Sequence, residues 1–465
     1  MPAKRVIVLD LVCLTAEHLQ DAAKTPTLSR LAQEGWSAPL LPPFPPVTCT
    51  VQATLTTGTT PREHGVVCNG LFERNRYQVR FWDQPTSMVM QEKLWERLRR
   101  ADPQAKTALL FFQNTMFADA EVVVTPAPLH EEHELIPWCY SKPVGYYEQL
   151  AERHGPFDLA WYWGPLAGSR SSEWIVKAAL DTIRDHQPAV MWVYLPHLDY
   201  NTQRFGPESQ QFLDDLATMD GLVRTFLDEL KAIGPVDETA IVAVSEYAMG
   251  PVGRPIYLNR ILREAGLLSV REVARREYLD FELSRAFAMV DHQMAHLYIK
   301  ADAEAAVRAA IWGRPGVEKL LGDFEKRELA IDHPNSGEII AVAEADAWFP
   351  YYYWLDDEKA PPFARTVDIH RKPGYDPVEL FFDPASKSIP LDAELVRGSH
   401  GRPPDRDPAR PVLIAYGAEL PRRPPGEVPA AAIPDLIMGL LGHRGAPPSP
   451  EPSAEQLEDR LRLGG

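Results

Sequence analysis

Short runs of β-branched and aliphatic residues recur along the chain, each followed by polar loop residues and then by a helical pattern. Arg5-Val6-Ile7-Val8-Leu9-Asp10 is the first; the runs at 107–112, 189–195, 239–244 and 411–416 repeat it. Runs apolar on both faces are what strands covered on both sides of a sheet require. Apolar positions at helical spacing predict helices over 94–100, 171–185, 210–233 and 433–441, and a short helix over 25–35 opened by Pro26 and closed by Gly35. Residues 121–150, with Pro126, Pro128, Pro137 and Pro143, read as irregular. The alternation predicts an α/β fold: a doubly wound, mostly parallel sheet with helices on both faces.

The pattern changes at about residue 256. Strand and helix fragments alternate without the long apolar runs, and aromatics concentrate at Trp348-Phe349-Pro350-Tyr351-Tyr352-Tyr353-Trp354. This predicts an α+β cap or lid over 256–385, inserted into a core made of 1–255 and 386–445. The lid aromatics either stack on a flat group of a ligand or pack the lid against the sheet. Residues 446–465 read as a polar, proline-rich tail. The 44 prolines of the 465-residue chain cluster in loops and punctuate the fold.

Charge narrows the partners. The formal balance of 48 basic and 65 acidic residues, −17, argues against nonspecific binding to nucleic acid or to an anionic membrane surface. It leaves a small phosphate-bearing substrate open, because bound cations outweigh local carboxylates. Four cysteines without CxxC spacing make no disulfide framework. Together with the lack of a visible signal peptide or membrane span, they make the cytoplasm the expected compartment.

The candidate chemistry sits at strand ends, where open α/β sheets collect function. Asp10 ends the first run, Asp199 follows the third in Pro196-His197-Leu198-Asp199-Tyr200-Asn201-Thr202-Gln203, and Glu246 follows the fourth in Ser245-Glu246-Tyr247. Carboxylates gathered at one edge repel one another unless cations lie between them, so a divalent-metal site is the economical reading. Pro45-Pro46-Val47-Thr48-Cys49-Thr50 leads into a stretch that can open a helix. Its threonine is then either a helix N-cap or a nucleophile beside an anion-binding helix terminus. His64 and Asn69 follow in a loop; Asn69 either donates to an anion or caps a turn. His292 and His296 lie in one later segment and His370 in another, each equally readable as an ordinary strand or loop histidine.

In segment order the chain resembles the alkaline phosphatase superfamily, in its type I phosphodiesterase/nucleotide pyrophosphatase branch. The resemblance spans about 1–441. It rests on the strand ending in Asp10, Thr25-Pro26-Thr27-Leu28, the Thr48 stretch with Thr57-Gly58, Pro61, His64-Gly65 and Asn69, then Asp199, Ser245 to Gly250, and Ser399-His400-Gly401. It implies a metal-dependent hydrolase of phosphodiester or phosphomonoester bonds acting through a phosphothreonine. Thr48, ten residues before Gly58, matches the nucleophile, and Asn69 matches an amide that holds the phosphoryl oxygen. By that resemblance Asp10 and Thr48 match ligands of one divalent ion, Asp199 and His400 match ligands of a second, and Glu246 is a further metal ligand.

Three positions depart from the family pattern: Gln203 and Tyr247 stand where histidines are usual, and Glu246 stands where aspartate is. The remaining oxygen-rich set suits magnesium or manganese better than zinc. One ion, or none, is the alternative to two. Gln203, Tyr247, His370, His197, Asp368 and Lys372 are further candidates for metal or substrate contact. Two other functions are compatible with the sequence: a catalytically degenerate member that binds a ligand or partner, and a phosphonate or sulfate ester hydrolase.

Overall fold

The computed structural model describes residues 2–131, 135–234, 236–406 and 409–443; the expected tail at 446–465 lies outside them. The strands of the main sheet are β1 (Arg5–Leu11), β2 (Trp36–Leu41), β3 (Thr107–Leu110), β4 (Val122–Pro126), β5 (Cys139–Lys142), β6 (Val190–Leu195) and β7 (Thr239–Val244), completed late in the chain by β12 (Val412–Gly417) and β13 (Val428–Pro429). Across the sheet the order is β13-β2-β12-β7-β1-β6-β3-β4-β5. The middle five, β7-β1-β6-β3-β4, are parallel, and β12 and β5 run antiparallel at their flanks. Every residue of β6 and β7 is buried, which is why these segments read as unbroken apolar runs.

Helices flank the sheet: α1 (Pro26–Glu34) and α4 (Ser169–His186) each pack on α6 (Gln210–Ile233), while α2 (Thr48–Thr57) packs on the last helix, Ile433–Leu440. Between α2 and α4 lies α3 (Leu94–Ala101), and between α4 and α6 lies α5 (His197–Phe205). The fold is thus a mixed, mostly parallel sheet with flanking helices and added elements. Among the described residues no helix is long and apolar enough to cross a membrane.

The region 121–150 corrects the sequence expectation. It holds β4, β5 and the helix Tyr146–His154. Pro126 ends β4 and Pro143 follows β5, so these two prolines bound strands.

A second, antiparallel sheet, order β8-β9-β11-β10, is formed by β8 (Ala286–Asp291), β9 (Met294–Ile299), β10 (Val317–Leu321) and β11 (Ile339–Ala343). A hydrophobic cluster surrounds it, drawing residues from 252–396 and also Phe44, Val47, Val67, Phe72 and Phe81 from the first hundred. Trp348, Tyr351, Tyr352, Tyr353 and Trp354 are at most 1% exposed inside that cluster, so the stacking role open to them in the sequence gives way to packing.

Candidate active site

β1, β6 and β7 are neighbours, and their carboxyl ends deliver three of the expected acids to one place. Asp10 lies in β1, Asp199 follows β6 on α5, and Glu246 follows β7. The segment around Asp199 is the helix α5, where a loop was expected. Asp199 and Gln203 therefore stand four apart on one helical face, and the Gln203 amide donates to Asp199 Oδ2.

Thr48 is the first residue of α2. The cap is Val47, in an extended conformation and with no side-chain hydrogen bond, so the reading of Thr48 as an N-cap fails and its hydroxyl is available for other contacts. Thr48 Oγ1 lies 3.3 Å from the Tyr247 hydroxyl and interacts with the Glu246 carboxyl. One turn along α2, Gln52 faces the same place. Its amide donates to Glu246 Oε1 at 2.6 Å and to Asp10 Oδ2 at 3.4 Å, while its carbonyl oxygen accepts from Gln113 N–H at 2.7 Å. Sequence reading missed Gln52; the signal was its spacing, four residues after Thr48.

Asp10 and Glu246 are both fully buried. Burial, then the neighbouring Glu246 charge, pushes the Asp10 carboxyl well above its usual range, and burial raises Glu246 too. Among the described residues no N–H or hydroxyl group donates to Asp10 Oδ1 or Glu246 Oε2, and the two carboxyls interact with each other. Two buried carboxyls with bare oxygens call for a proton or a cation between them.

Asp199 is satisfied differently. The Tyr247 hydroxyl donates to its Oδ1 at 3.2 Å and the Cys13 thiol approaches the same oxygen at 3.8 Å. Tyr375 in turn donates to Gln203 Oε1 at 3.0 Å. Burial holds the Asp199 carboxyl up at about 7.

His400 reaches the cluster from the short strand pair Gly398–Ser399 with Gly250–Pro251. Its Nδ1–H donates to the Pro46 carbonyl at 2.7 Å, and burial lowers its pKa to about 3. That leaves Nε2 as a lone pair, and it has no partner among the described residues. The Tyr247 ring lies flat on His400, 3.5 Å between centroids at 8°, and His292 covers it 3.7 Å away. Tyr375 stacks next, 4.0 Å from His292. His292, a turn residue with φ 60° between β8 and β9, was not singled out from the sequence as a site residue.

Asn69 sits beside Cys49. The Cys49 N–H donates to Asn69 Oδ1 at 2.9 Å, and Asn69 gives its N–H and its Nδ2 to Asp291 at 2.8 and 3.2 Å. Burial pushes Asp291 up to about 7. A cavity of about 20 Å³ adjoins them, lined by Cys49, Asn69, Arg80, Asp83 and Asn114 among others, with room for about one water.

The remaining candidates lie in other contacts. His197 is buried with its nitrogens on Ser172 Oγ (2.8 Å) and the Asp215 carbonyl (3.2 Å). His64 bonds Thr54 and His296 bonds the Val67 carbonyl. His370 is exposed and bonds the Phe81 carbonyl at 2.9 Å. Asp368 pairs with Arg371. Lys372 is buried between Asp376 at 2.7 Å and Glu379 at 2.5 Å.

Residues 6–376 match the type I phosphodiesterase/nucleotide pyrophosphatase family. The chain belongs to that family. It is 24% identical over 279 residues to an uncharacterized pyrophosphatase/phosphodiesterase of Schizosaccharomyces pombe, and the match spans about half of that relative, 49% of its length. Its fold is similar to phosphonoacetate hydrolase of Sinorhizobium meliloti in complex with phosphonoformate (TM-score 0.60, 16% identity, 95% of this chain and 96% of that one). It is equally similar to murine ectonucleotide pyrophosphatase/phosphodiesterase 5 (0.60, 15%, 96% and 97%). An inactive threonine-to-alanine variant of the murine protein, solved in complex with AMP, is also similar (0.60, 15%, 98% and 99%).

Membership makes divalent-metal use a property to test on this chain's own residues. Among the described residues no group of three or more His, Cys, Asp or Glu side chains is arranged to hold a metal ion. The first expected position still fits a hard cation: Asp10 Oδ1 and Glu246 Oε2 are buried and without a donor among the described residues, and the Glu246 carboxyl meets the Thr48 hydroxyl. The second does not, because both oxygens of Asp199 are already engaged.

Proposed function

We propose that this protein hydrolyses phosphate esters, phosphodiesters or phosphomonoesters of a nucleotide-like kind, by transferring the phosphoryl group to Thr48. One observation carries the reading: a buried threonine hydroxyl at a helix N-terminus meets the carboxyl of Glu246, which shares the Gln52 amide with Asp10, and each of the two carboxyls has an oxygen without a donor among the described residues. The murine neighbour that is inactive as a threonine-to-alanine variant and solved with AMP supports it.

Asp10 and Glu246, with the Thr48 hydroxyl, would hold one magnesium or manganese ion, whose charge would favour the ionised hydroxyl. The Thr48 oxygen attacks phosphorus, the alcohol leaves, and water then cleaves the phosphothreonine, so configuration is retained over the two displacements. The α2 N-terminus supplies positive potential to the phosphoryl oxygens. Asn69 Nδ2 has a second hydrogen to offer them beyond the one held by Asp291. The core at 1–255 and 386–445 provides these groups, the cap at 256–385 provides His292 and Tyr375, and four free, buried cysteines fit the cytoplasm.

A second reading is a member that binds a ligand without turning it over. The engaged Cys49 N–H and the neutral partners of Asp199 favour it. A third keeps the enzyme and changes the bond to a phosphonate or sulfate ester. Turnover of a bis-aryl phosphodiester, a phosphonate and an aryl sulfate with Mg²⁺, Mn²⁺ or Zn²⁺ separates them. Phosphodiester turnover lost in Thr48→Ala is the expected result; no turnover of any substrate with any ion refutes the enzyme reading.

A further inference from the structure

We propose that Tyr247 and Gln203 are built-in neutral replacements for a second cation, so that Asp199 is served by hydrogen bonds and the site takes at most one ion, at Asp10 and Glu246. The location of that one ion rests on the proposed function; the closure of the Asp199 position does not.

The donors at Asp199 decide this. Its Oδ1 accepts from the Tyr247 hydroxyl at 3.2 Å and its Oδ2 accepts from the Gln203 amide. Turning the Gln203 carbonyl oxygen to an ion would take its amide away from Asp199 and reverse the contact with Tyr375, which now donates to that oxygen at 3.0 Å. The Tyr247 ring is fixed by its flat stack on His400. His400 offers one lone pair, Nε2, because Nδ1–H is spent on Pro46. An ion at this position would meet at most two bare nitrogens, His400 Nε2 and His292 Nδ1 on the neighbouring ring, where zinc takes three or four protein ligands and harder ions take six or more in all, water included. Displacing the two donors would break both hydrogen bonds to Asp199, reverse the Tyr375 contact and disturb the ring stack.

The neutral set also answers the electrostatic need. A carboxyl buried like Asp199 requires a cation, a proton or several donors. Tyr247, Gln203 and the more distant Cys13 thiol supply donors. At Asp10 and Glu246 the amide of Gln52 serves one oxygen of each and leaves the other two bare. The two positions therefore differ in kind, and only the first keeps an opening for a cation.

Metal content tests this without reference to turnover. Purified protein is dialysed against Mn²⁺ or Zn²⁺ and analysed by native mass spectrometry with elemental analysis. The wild type is expected to take one equivalent, lost in Asp10→Asn and kept in Asp199→Asn. Gln203→His/Tyr247→His, which puts imidazoles in place of both neutral donors, is expected to gain one equivalent of Zn²⁺ over the wild type. Two equivalents in the wild type, or loss of its ion in Asp199→Asn, overturns the inference. So does a double variant with an unchanged circular dichroism spectrum and no added zinc. A wild type that takes none while the double variant takes one supports the closed Asp199 position and sinks the ion at Asp10 and Glu246. If the double variant does not fold, Gln203→His alone keeps the Tyr247 stack. With Asp199, His400 and the introduced imidazole it has three ligands, and it is expected to bind one more equivalent of zinc than the wild type; failure to do so overturns the inference.

Discussion

Replacing Gln52 with leucine tests the middle of the site. The side chain is about the same size, so packing on α2 changes little. Three polar contacts disappear: the amide donations to Glu246 and Asp10, and the oxygen that accepts from Gln113 N–H. A buried polar group left without its partner costs about 1–3 kcal/mol. The Gln113 N–H and the carboxyl pair each lose one, and the 3.4 Å contact to Asp10 is weak, so the expected destabilisation is roughly 2–5 kcal/mol. Urea unfolding followed by circular dichroism measures it, with the exposed Gln149→Leu as control, expected to change by less than about 0.5 kcal/mol. In metal-free protein the loss is complete. With saturating Mn²⁺ it shrinks, because a cation between Asp10 and Glu246 does the work of the amide. A loss below about 1 kcal/mol in metal-free protein would show that Gln52 does not hold the pair together and would refute the reasoning.

Stability in metal-free protein is expected to fall as pH rises from about 4 to about 7. Asp199 and Asp291 are both held up at about 7 by burial. Over that window the folded state keeps protons that the unfolded chain has released, so unfolding becomes easier with pH. Each carboxyl contributes on the order of 4 kcal/mol to the slope across the window, and Asp291→Asn flattens it; urea midpoints at pH 4.5, 6 and 7.5 give the answer, and a midpoint rising over this range contradicts it. Gly398→Ala should displace His400, since a Cβ there would stand 2.2 Å from the Thr202 carbonyl oxygen on α5 and 2.8 Å from Met249 sulfur. A drop in melting temperature of several degrees is expected for it and none for Gly250→Ala, where a Cβ meets nothing within 4 Å; equal melting temperatures would refute the close approach.

The sheet was legible because buried parallel strands write themselves as unbroken apolar runs, and Thr239–Val244 and Val190–Leu195 did so within a residue. The positions of Asp10, Glu246 and Thr48 followed from strand ends and segment order. Pro196 before Asp199 suggests a proline-led loop in the sequence, and the structure has a helix there. Proline at a helix start is compatible with a helix, and the four-residue step to Gln203 was the better guide. Gln52 carried only its spacing from Thr48, amid threonines that line the same helix. His292 carried no local signal: its place beside His400 comes from a turn between two strands of the second sheet, a contact across 108 residues that no periodicity records.

Four buried carboxyls crowd this site, and none of them is reached by a lysine or arginine in the hydrogen bonds described. Each has a different answer to burial. Asp291 accepts two donors from Asn69, and Asp199 accepts from a phenol, an amide and a thiol. Both end as satisfied, near-neutral groups. Asp10 and Glu246 share one amide and keep one bare oxygen each. A fold could have served them as it serves Asp199, with one more amide or phenol, and the chain's net charge gives no long-range help. One of the two carboxyls, Glu246, meets the Thr48 hydroxyl, where a positive charge would favour its ionised form. That coincidence of an unmet electrostatic need with a positioned hydroxyl separates this site from a merely buried cluster, and it directs both the metal measurements and the Thr48 substitution to the same few atoms.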